Sequence, residues 1–364
     1  MRVLFLQQQP CIRTLKYAVG LRAASDGLQL GFAYQGRTLG EWYGTGDDAF
    51  DRWWNLGTGP DAEVVDRLGA VVDEFRPDVI HSHNLPDRLT VLAVDLAGGT
   101  VPVIHDVHDF QSLRRTPYED GLPEPADPLA AERAAVEGCS ALVTVSPELL
   151  AEVEARYQVP PTLVFPNYAL ARDLPMTLPA WRPRPGEPPR IVYQGTLSTN
   201  GGHYDLRGVF RRVVAGGALL DVYPSRPSPD YEVLAEETPG LRLMDRLDPR
   251  ALMQALPAYD FGWAGFNDSL NAAHLHTALP NKLFEYLGCG LPVLTTGHRA
   301  IARFLGEHGV GVDLGGPAGA GDVASRLAAV DVAALRRRVA AARFDFTIEA
   351  NLQPVVDLYK TVVG

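Results

Sequence analysis

A lysine and a glutamate three residues apart, Lys282 and Glu285, are the side chains of this chain best placed for ligand chemistry. Their segment starts at Pro280 or Asn281, a typical helix start, and ends at glycines before a buried strand. Residues at i and i+3 share one helix face. The helix N-terminus and Lys282 would attract a phosphate, and Glu285 could accept hydrogen bonds from ribose hydroxyls. The same spacing also fits a plain surface ion pair.

A second polar cluster follows the strand predicted at 101–107 and consists of His105, Asp106, His108 and Asp109. Polar residues at the carboxyl end of a strand are typical of a site in an α/β sheet. Imidazole and carboxylate are also ordinary ligands for zinc or manganese, and His81 and His83 end another predicted strand. A metal site and simple hydrogen bonding at the strand ends are therefore both open interpretations.

These residues must be positioned by short β-branched runs that alternate with helix-length segments, a pattern that predicts parallel, doubly wound sheets. The pattern occurs twice. The first series predicts strands at 2–7, 28–34, 78–82, 101–107, 141–145 and 162–166, with helices at 61–75, 128–137 and 146–157. The second series predicts strands at 190–195, 218–223, 241–244, 260–264, 291–295 and 310–313, and a final helix at 346–363.

The 364 residues suit two α/β domains better than one. Six prolines between residues 171 and 189 remove so many backbone donors that this segment is predicted to be a linker. We therefore expect an N-terminal domain at 1–170 and a C-terminal domain at 190–348.

Charge and composition limit the partners and the compartment. The first 170 residues hold 24 acidic against 13 basic residues, which accounts for the whole net charge of −11. This excludes nucleic acid and anionic lipid as expected partners and favours a neutral or cationic one. The sequence shows no signal peptide and no apolar run long enough for a bilayer. Three scattered cysteines suit a reducing compartment, so we expect a cytoplasmic protein.

The segment Pro280-Asn-Lys-Leu-Phe-Glu-Tyr286, followed by Gly290-Leu-Pro-Val293, resembles the donor-site motif of retaining GT-B glycosyltransferases of family 4. Shorter matches occur in the order of that family at 77–83, 142–146, 165–167, 193–195 and 257–260. The resemblance implies a GT-B architecture: two Rossmann-like, doubly wound domains facing across a cleft. It also implies that the helix at 349–364 packs back onto the N-terminal domain.

The resemblance assigns the donor site to the C-terminal domain. It implies that Glu285 binds the ribose of the nucleotide, while the other glutamate of the family pattern is replaced by Thr277. The loop after Gly195 lacks the cations usual in the family, so neutralisation of the diphosphate falls on Lys282, with Arg207 as a further candidate. We expect help from backbone N–H groups at the helix start and in this loop. The remaining donor-site candidates are Gly195, Thr196, Gly201, Gly202, Asn281 and Leu283, with His274 and His276 in the loop that precedes Asn281.

On the N-terminal side, His108 matches a family histidine that faces the donor sugar. Asp106 is a further candidate catalytic residue, although the resemblance implies front-face attack without an enzymic nucleophile. Candidates for the acceptor side are Arg13, Lys16, Asp109 and Trp42, the last in an aromatic segment at 41–54 that suits either sugar stacking or a hydrophobic lid.

The expected activity is transfer of a sugar from a nucleoside diphosphate sugar to a small-molecule or saccharide acceptor, with the retention of configuration that the resemblance implies. The Arg-, Ala-, Gly- and Pro-rich composition indicates a GC-rich bacterial genome, so we expect a bacterial biosynthetic enzyme. No metal and no cofactor are expected, and the oligomeric state is left open. The alternatives are a nucleotide-sugar epimerase or hydrolase of the same fold, a metal-dependent hydrolase using the His105–Asp109 cluster, and a non-catalytic nucleotide-sugar-binding subunit.

Overall fold

The computed structural model describes residues 1–25, 27–84, 87–115, 126–184 and 186–364, with the side chains of Trp42 and Pro317 outside the description. The chain divides into two compact units. Unit 1 comprises Met1–Pro166 and Asn351–Gly364, and unit 2 comprises Asn167–Ala350. Within the described residues, no helix combines the length and the apolar character needed to cross a bilayer.

The described part of unit 1 contains a seven-stranded parallel sheet. Its strands are β1 (Arg2–Gln7), β2 (Gln29–Tyr34), β3 (Arg52–Asn55), β4 (Val79–His83), β5 (Val103–Val107), β6 (Ala141–Thr144) and β7 (Thr162–Val164). Their order is β3-β2-β1-β4-β5-β6-β7, so the chain reverses direction across the sheet between β1 and β4. The six strands predicted for this half are confirmed, with small shifts at their ends.

Helices cover both faces of this sheet. They are α1 (Ile12–Ala24), α2 (Leu39–Tyr43), α3 (Asp61–Phe75), α4 (Arg88–Ala97), α5 (Pro128–Gly138) and α6 (Pro147–Glu154). The predicted start of α5 is confirmed, because the Asp127 side chain accepts a hydrogen bond from the N–H of Ala130 and Pro128 occupies the first turn. Ser146 caps α6 in the same way.

Strand β3 was not predicted from the sequence. Trp53 and Trp54 belong to this edge strand. The ring centroid of Trp53 lies 5.1 Å from that of Phe32 on β2, and the ring centroid of Trp54 lies 5.4 Å from that of Phe75 on α3. The indole N–H of Trp54 also donates to Glu74. These two tryptophans are therefore structural, which corrects the interpretation of the whole 41–54 segment as a sugar-stacking surface or lid.

Unit 2 repeats the doubly wound plan with six parallel strands in its described residues. They are β8 (Arg190–Gly195), β9 (Leu219–Pro224), β10 (Leu241–Leu243), β11 (Phe261–Trp263), β12 (Val293–Thr295) and β13 (Gly311–Asp313), in the order β10-β9-β8-β11-β12-β13. The helices are α7 (Arg207–Ala215), α8 (Pro229–Glu237), α9 (Pro249–Ala255), α10 (Ala272–Leu275), α11 (Asn281–Gly288), α12 (Arg299–His308), α13 (Val323–Ala328) and α14 (Val332–Ala342). All strands predicted for this half are present.

The segment predicted as a linker, 171–189, falls within unit 2, and its described residues pack onto the rest of that unit. The indole of Trp181 and the guanidinium of Arg184 both donate to the carboxylate of Asp260. Further along unit 2, Arg343 donates to the carbonyl oxygens of Pro175 and Met176. Proline removes donors from this segment, and side chains of unit 2 bind its carbonyls and polar groups instead.

The last predicted helix, 346–363, is two helices, α15 (Ile348–Asn351) and α16 (Gln353–Val363). The break has a simple cause, since Pro354 has no N–H to continue the first helix and instead lies in the first turn of the second. Helix α16 belongs to unit 1, where the hydroxyl of Tyr359 lies 2.6 Å from Nδ1 of His81 on β4.

Helix α11 approaches the sheet of unit 2 closely because β11 carries a glycine. A methyl group built on Gly262 would lie 2.3 Å from Cγ of Tyr286. The Tyr286 ring is fully buried, and its hydroxyl accepts a hydrogen bond of 2.9 Å from the backbone N–H of Gln194 on β8. This contact fixes α11 against β8 and β11.

We predict that Gly262→Ala destabilises unit 2 by about 1–3 kcal/mol, the usual cost of overpacking a core, because Tyr286 has no room to retreat. The matched control is Gly306→Ala on α12, where an added methyl meets no atom within 4 Å. That change should be neutral or stabilise by up to about 1 kcal/mol, as alanine does in an exposed helix. Chemical denaturation gives both values, and equal stability of Gly262→Ala and the wild type would contradict the close-packing argument.

Candidate active site

The sheet of unit 2 reverses its winding between β8 and β11, which lie side by side. In open α/β sheets, ligands bind beyond the carboxyl ends of the strands at this switch point. Helix α11 begins there, with Pro280 at its N-cap position. A proline at that position gives the first turn no side-chain cap, which leaves capping of the helix start to a ligand or the solvent.

Lys282 is the central residue of this site. Its side chain is 92 % buried, and Nζ has no hydrogen-bond partner among the described residues. Nζ lies 3.9 Å from the centroid of the Tyr193 ring, on β8. A Cβ added at Gly195, which has a φ of +128°, would lie 3.3 Å from the same nitrogen. Burial lowers the pKa of Lys282 to about 7, against the opposing effect of the Glu285 carboxylate.

Glu285 lies one turn further along α11 and is half-buried. Its Oε2 accepts a hydrogen bond of 2.6 Å from Nε2 of Gln194, the penultimate residue of β8. The structure therefore brings Lys282, Glu285 and the end of β8 together, and it excludes the plain surface ion pair. Gln194 was missed as a site residue, although it stands in the Tyr193-Gln-Gly195 segment that the sequence singles out.

The glycine loop does not present its N–H groups as expected. The N–H of Gly201 donates to Asp205 at 3.1 Å, and the N–H of Gly202 donates to the side chain of Asn200 at 2.9 Å. Arg207 is held by the same carboxylate of Asp205, at 2.7 Å. These three expected phosphate contacts are thus engaged within the loop, because a local aspartate and asparagine already satisfy them.

Three of the remaining donor-side candidates, Thr196, Thr277 and Leu283, are engaged in contacts within unit 2. The hydroxyl of Thr277 is buried and donates to the carbonyl of His274 in its own turn, and the carbonyl of Thr196 accepts from the hydroxyl of Tyr193. Leu283 is fully buried in the core. Asn281 is the first residue of α11. Thr277 therefore does not replace the missing glutamate with a free hydroxyl.

The two histidines before α11 are also engaged. His274 is buried in the short helix α10, and Nδ1 of His276 accepts from the backbone N–H of Arg299 at 3.4 Å. They stabilise the loop that leads into α11.

In unit 1, Asp106 of β5 is fully buried in an ion pair. Its carboxylate accepts from Nε of Arg13 at 2.9 and 3.1 Å and from the hydroxyl of Tyr17 at 2.8 Å. Burial opposes ionisation, but the Arg13 charge prevails and holds the pKa of Asp106 well below its usual value. Arg13 also donates to the carbonyl oxygen of Phe165. Asp106 is therefore not a carboxylate exposed to substrate, and Arg13 is not an acceptor-side contact.

His108 follows β5 and keeps 21 % of its side chain exposed, with Nδ1 4.0 Å from Oδ1 of Asp106. Burial lowers the pKa of His108, although nearby Asp109 and Asp106 oppose the shift. Asn84, just after β4, fixes this corner: its Oδ1 accepts from the N–H groups of His108 at 3.1 Å and Asp109 at 3.4 Å, and its Nδ2 donates to the carbonyl of Asp109. Asn84 was not predicted as a site residue, although it directly follows His81-Ser-His83 at the end of a strand.

The other acceptor-side candidates have mixed environments. Lys16 is buried in α1, with 4 % exposure. Asp109 is half-buried, and its carboxylate lies 3.6 Å from Arg114. Trp42 lies in α2, and its side chain falls outside the described part of the chain.

The His105–Asp109 cluster does not converge as a metal site. Successive residues of a strand point to opposite faces of the sheet. His105 accordingly contacts Thr90 at 2.9 Å and Asp87 at 3.1 Å, while Asp106 faces Arg13. This separation removes the ligand set that the metal-dependent hydrolase would use.

Among the described residues, His81, His83 and Asp106 form a trio whose ligand atoms lie within 4.8 Å of one another. Burial lowers the pKa of both rings, so they are neutral. The carboxylate, however, already accepts hydrogen bonds from Arg13 and Tyr17. A second cation at this carboxylate would lie against the buried guanidinium, so the trio suits an ion-pair network better than a metal ion.

Comparison with known proteins agrees with this arrangement. The family described as glycosyl transferase 4-like domain matches residues 12–168. No curated protein sequence matches the chain. A sucrose-phosphate synthase from Thermosynechococcus elongatus is similar in structure, with a TM-score of 0.69 and 15% identity over 100% of this chain and 99% of that one.

Two further solved structures share the fold. HepE of Anabaena, in complex with UDP, has a TM-score of 0.70 and 15% identity over 99% of this chain and 100% of its own. A protein of Listeria monocytogenes described as a UDP-N-acetylglucosamine 2-epimerase has a TM-score of 0.60 and 15% identity over 96% of this chain and 94% of its own. At these identities the likeness concerns the fold. With the match of the glycosyl transferase 4-like model to residues 12–168, it shows that the chain has the two-domain α/β fold of these proteins and that its N-terminal part is similar to that family.

Proposed function

We propose that the chain transfers a glycosyl group from a nucleoside diphosphate sugar, bound at the start of α11, to a small-molecule or saccharide acceptor with retention of configuration. The observation that carries the proposal is the amine of Lys282, which is buried at the end of β8, one turn from Glu285, and has no hydrogen-bond partner in the described part of the chain. A buried amine gains most from a ligand that brings negative charge. A diphosphate joined to a ribose offers that charge to Lys282 and hydroxyl donors to Glu285.

In the proposed reaction, the bond between the anomeric carbon and the diphosphate oxygen breaks, and the acceptor oxygen bonds to the same face of that carbon. The acceptor proton passes to the departing diphosphate. Lys282 and the N–H groups at the start of α11 stabilise the charge that develops on the leaving group, so catalysis is electrostatic and positional. The proposal includes no enzymic nucleophile, no obligatory metal and no cofactor.

The donor nucleotide is best supported as a uridine nucleotide. HepE has been solved with UDP, with UDP and glucose, and with UDP-glucose, and shares the fold of this chain. A thermal-shift screen with UDP, GDP, ADP and dTDP tests the choice, because a matched ligand raises the unfolding temperature by mass action.

We assign the role of facing the donor sugar to His108. Its partly exposed ring lies at the carboxyl end of β5, and Asn84 holds the backbone that carries it. The lowered pKa keeps the ring neutral near pH 7, so it could orient a sugar hydroxyl without adding charge. Asp106 acts behind it as part of the Arg13 ion pair.

The acceptor and the compartment are proposed from charge and thiol chemistry. The acidic excess of residues 1–170 favours a neutral or cationic acceptor. The buried thiols of Cys139 and Cys289 remain unpaired, and burial raises the pKa of Cys139 to about 12. The unpaired thiols suit an enzyme of the reducing cytoplasm.

Two rival functions share the donor site. An epimerase or hydrolase would consume the donor without an acceptor, and the fold shared with the Listeria protein keeps this rival in view. A non-catalytic subunit would bind the nucleotide and convert nothing. Incubation of the sugar nucleotide with and without a panel of acceptors, followed by mass spectrometry, separates the three.

We expect Lys282→Met to weaken binding of the nucleoside diphosphate by about 10- to 100-fold, because the loss of a charge-assisted contact costs about 1.5–3 kcal/mol. Calorimetry measures the affinity. The matched control is Lys360→Met, which removes the same charge from a side chain that is 67 % exposed on α16. An unchanged affinity in a folded Lys282→Met protein would remove the phosphate assignment.

We expect His108→Ala to lower kcat by about 100-fold or more, the scale of a lost orienting group, while affinity for the nucleoside diphosphate stays unchanged. Asn84→Ala should lower kcat about 10-fold by the loss of backbone positioning, with His108 itself intact. Asn55→Ala is the control, because Oδ1 of Asn55 likewise accepts a hydrogen bond from a backbone N–H group, that of Gly57, but in an exposed turn. A drop in nucleotide affinity equal to the drop in kcat would place His108 in nucleotide binding instead.

A further inference from the structure

The site of Lys282 is an aromatic enclosure. Its Nζ lies 3.9 Å from the ring centroid of Tyr193, 5.8 Å from that of Tyr204 and 5.7 Å from that of Phe266. The Tyr193 hydroxyl donates to the carbonyl of Thr196, so this phenol is already engaged elsewhere. The rings replace only part of the water that a free ammonium would bind.

Among the residues that the structure describes, none forms a hydrogen bond with this amine. The carboxylate that faces it from its own helix is Glu285, which accepts a hydrogen bond from Gln194. In the loop after β8, the His203 ring is tilted against the Tyr204 ring at a centroid distance of 4.0 Å, and Asp205 is paired with Arg207. His298, which follows β12, packs against Phe266, which follows β11. Burial lowers the pKa of His298 to about 4, so that ring is neutral near pH 7.

We propose that Lys282 is largely a neutral amine in the free enzyme above pH 7 and takes up a proton from solvent when a nucleoside diphosphate binds. The inference rests on the proposed donor site and adds to it a linkage between donor affinity and pH. The diphosphate supplies the negative charge that the enclosure lacks, which makes the ammonium form favourable. Departure of the nucleotide product returns the proton to solvent.

The direction of the pH dependence of nucleotide affinity follows from the lowered pKa of Lys282. A base whose ionised form is needed for binding binds more weakly as pH rises past the pKa of the free state. With a pKa of about 7 for free Lys282, the dissociation constant should rise about 15-fold from pH 7 to pH 8.5. At pH 8 about 0.9 proton should enter per nucleotide bound. The second ionisation of a phosphate lies near pH 6, so the ligand itself contributes little there.

The first experiment is calorimetry of the intact protein with UDP, or with whichever of GDP, ADP and dTDP binds, at pH 8. Titrations in phosphate-free buffers of different ionisation enthalpy give the number of protons taken up. Uptake near one proton supports the proposal. Lys282→Arg, which stays charged throughout, should bind with no uptake and no loss of affinity from pH 7 to pH 8.5.

A second measurement does not depend on a variant that binds. The chain contains only three lysines, Lys16, Lys282 and Lys360, so a spectrum of protein labelled with 13C at lysine Cε shows few signals. The signal lost in Lys282→Met belongs to Lys282. Its titration midpoint should lie near pH 7 in the free protein and move above pH 9 with saturating UDP.

These measurements distinguish failure of the proposed proton uptake by Lys282 from failure of the proposed donor site. Nucleotide binding without proton uptake, at an affinity constant from pH 7 to pH 8.5, overturns this inference and leaves the donor site standing. A Lys282 signal that titrates near its ordinary value in the free protein does the same. Failure of all four nucleotides to bind at pH 7 overturns the donor site and this inference together.

Discussion

The close packing of α11 on the sheet of unit 2 is the constraint on which the candidate site depends. Gly262 leaves room for the ring of Tyr286, and the hydroxyl of that ring accepts the N–H of Gln194. One residue therefore ties the helix to both strands of the switch point. Because the helix is held so near, Lys282 is forced under the end of β8 and Glu285 meets the Gln194 side chain. A larger residue at position 262 would move both functional groups.

A buried charged group is neutralised by a partner in unit 1, whereas the corresponding group in the described part of unit 2 is not. In unit 1, the carboxylate of Asp106 is matched by the guanidinium of Arg13, and the surrounding histidines are neutral. The charge of Asp106 is thus compensated within unit 1, as expected of a group that holds structure. In unit 2, none of the residues that the structure covers forms a hydrogen bond with Nζ of Lys282, which costs free energy in the free protein. The uncompensated group marks the place where a ligand completes the electrostatics, whereas the compensated one organises the corner that carries His108.

Local sequence patterns predicted what local physics determines. The strands, the capped starts of α5 and α6, and the placement of Lys282 and Glu285 on one face of α11 all follow from periodicity, caps and spacing. The helix break before Pro354 could also have been predicted, because proline has no N–H group to continue a helix. What the sequence could not reveal is pairing over distance: Arg13 meets Asp106 across 93 positions, and Gln194 meets Glu285 across 91. The N–H groups of Gly201 and Gly202 were predicted to bind phosphate. They instead donate hydrogen bonds to Asp205 and Asn200 in the same loop, which spacing alone did not indicate.

The most direct test of the central claim is a crystal structure of the protein with bound UDP. The account predicts the terminal phosphate within about 4 Å of Nζ of Lys282, an ion-pair distance, and the ribose hydroxyls in hydrogen-bond contact with Glu285. A nucleotide bound elsewhere, with Lys282 still enclosed by its aromatic rings and Glu285 still bonded only to Gln194, would contradict it.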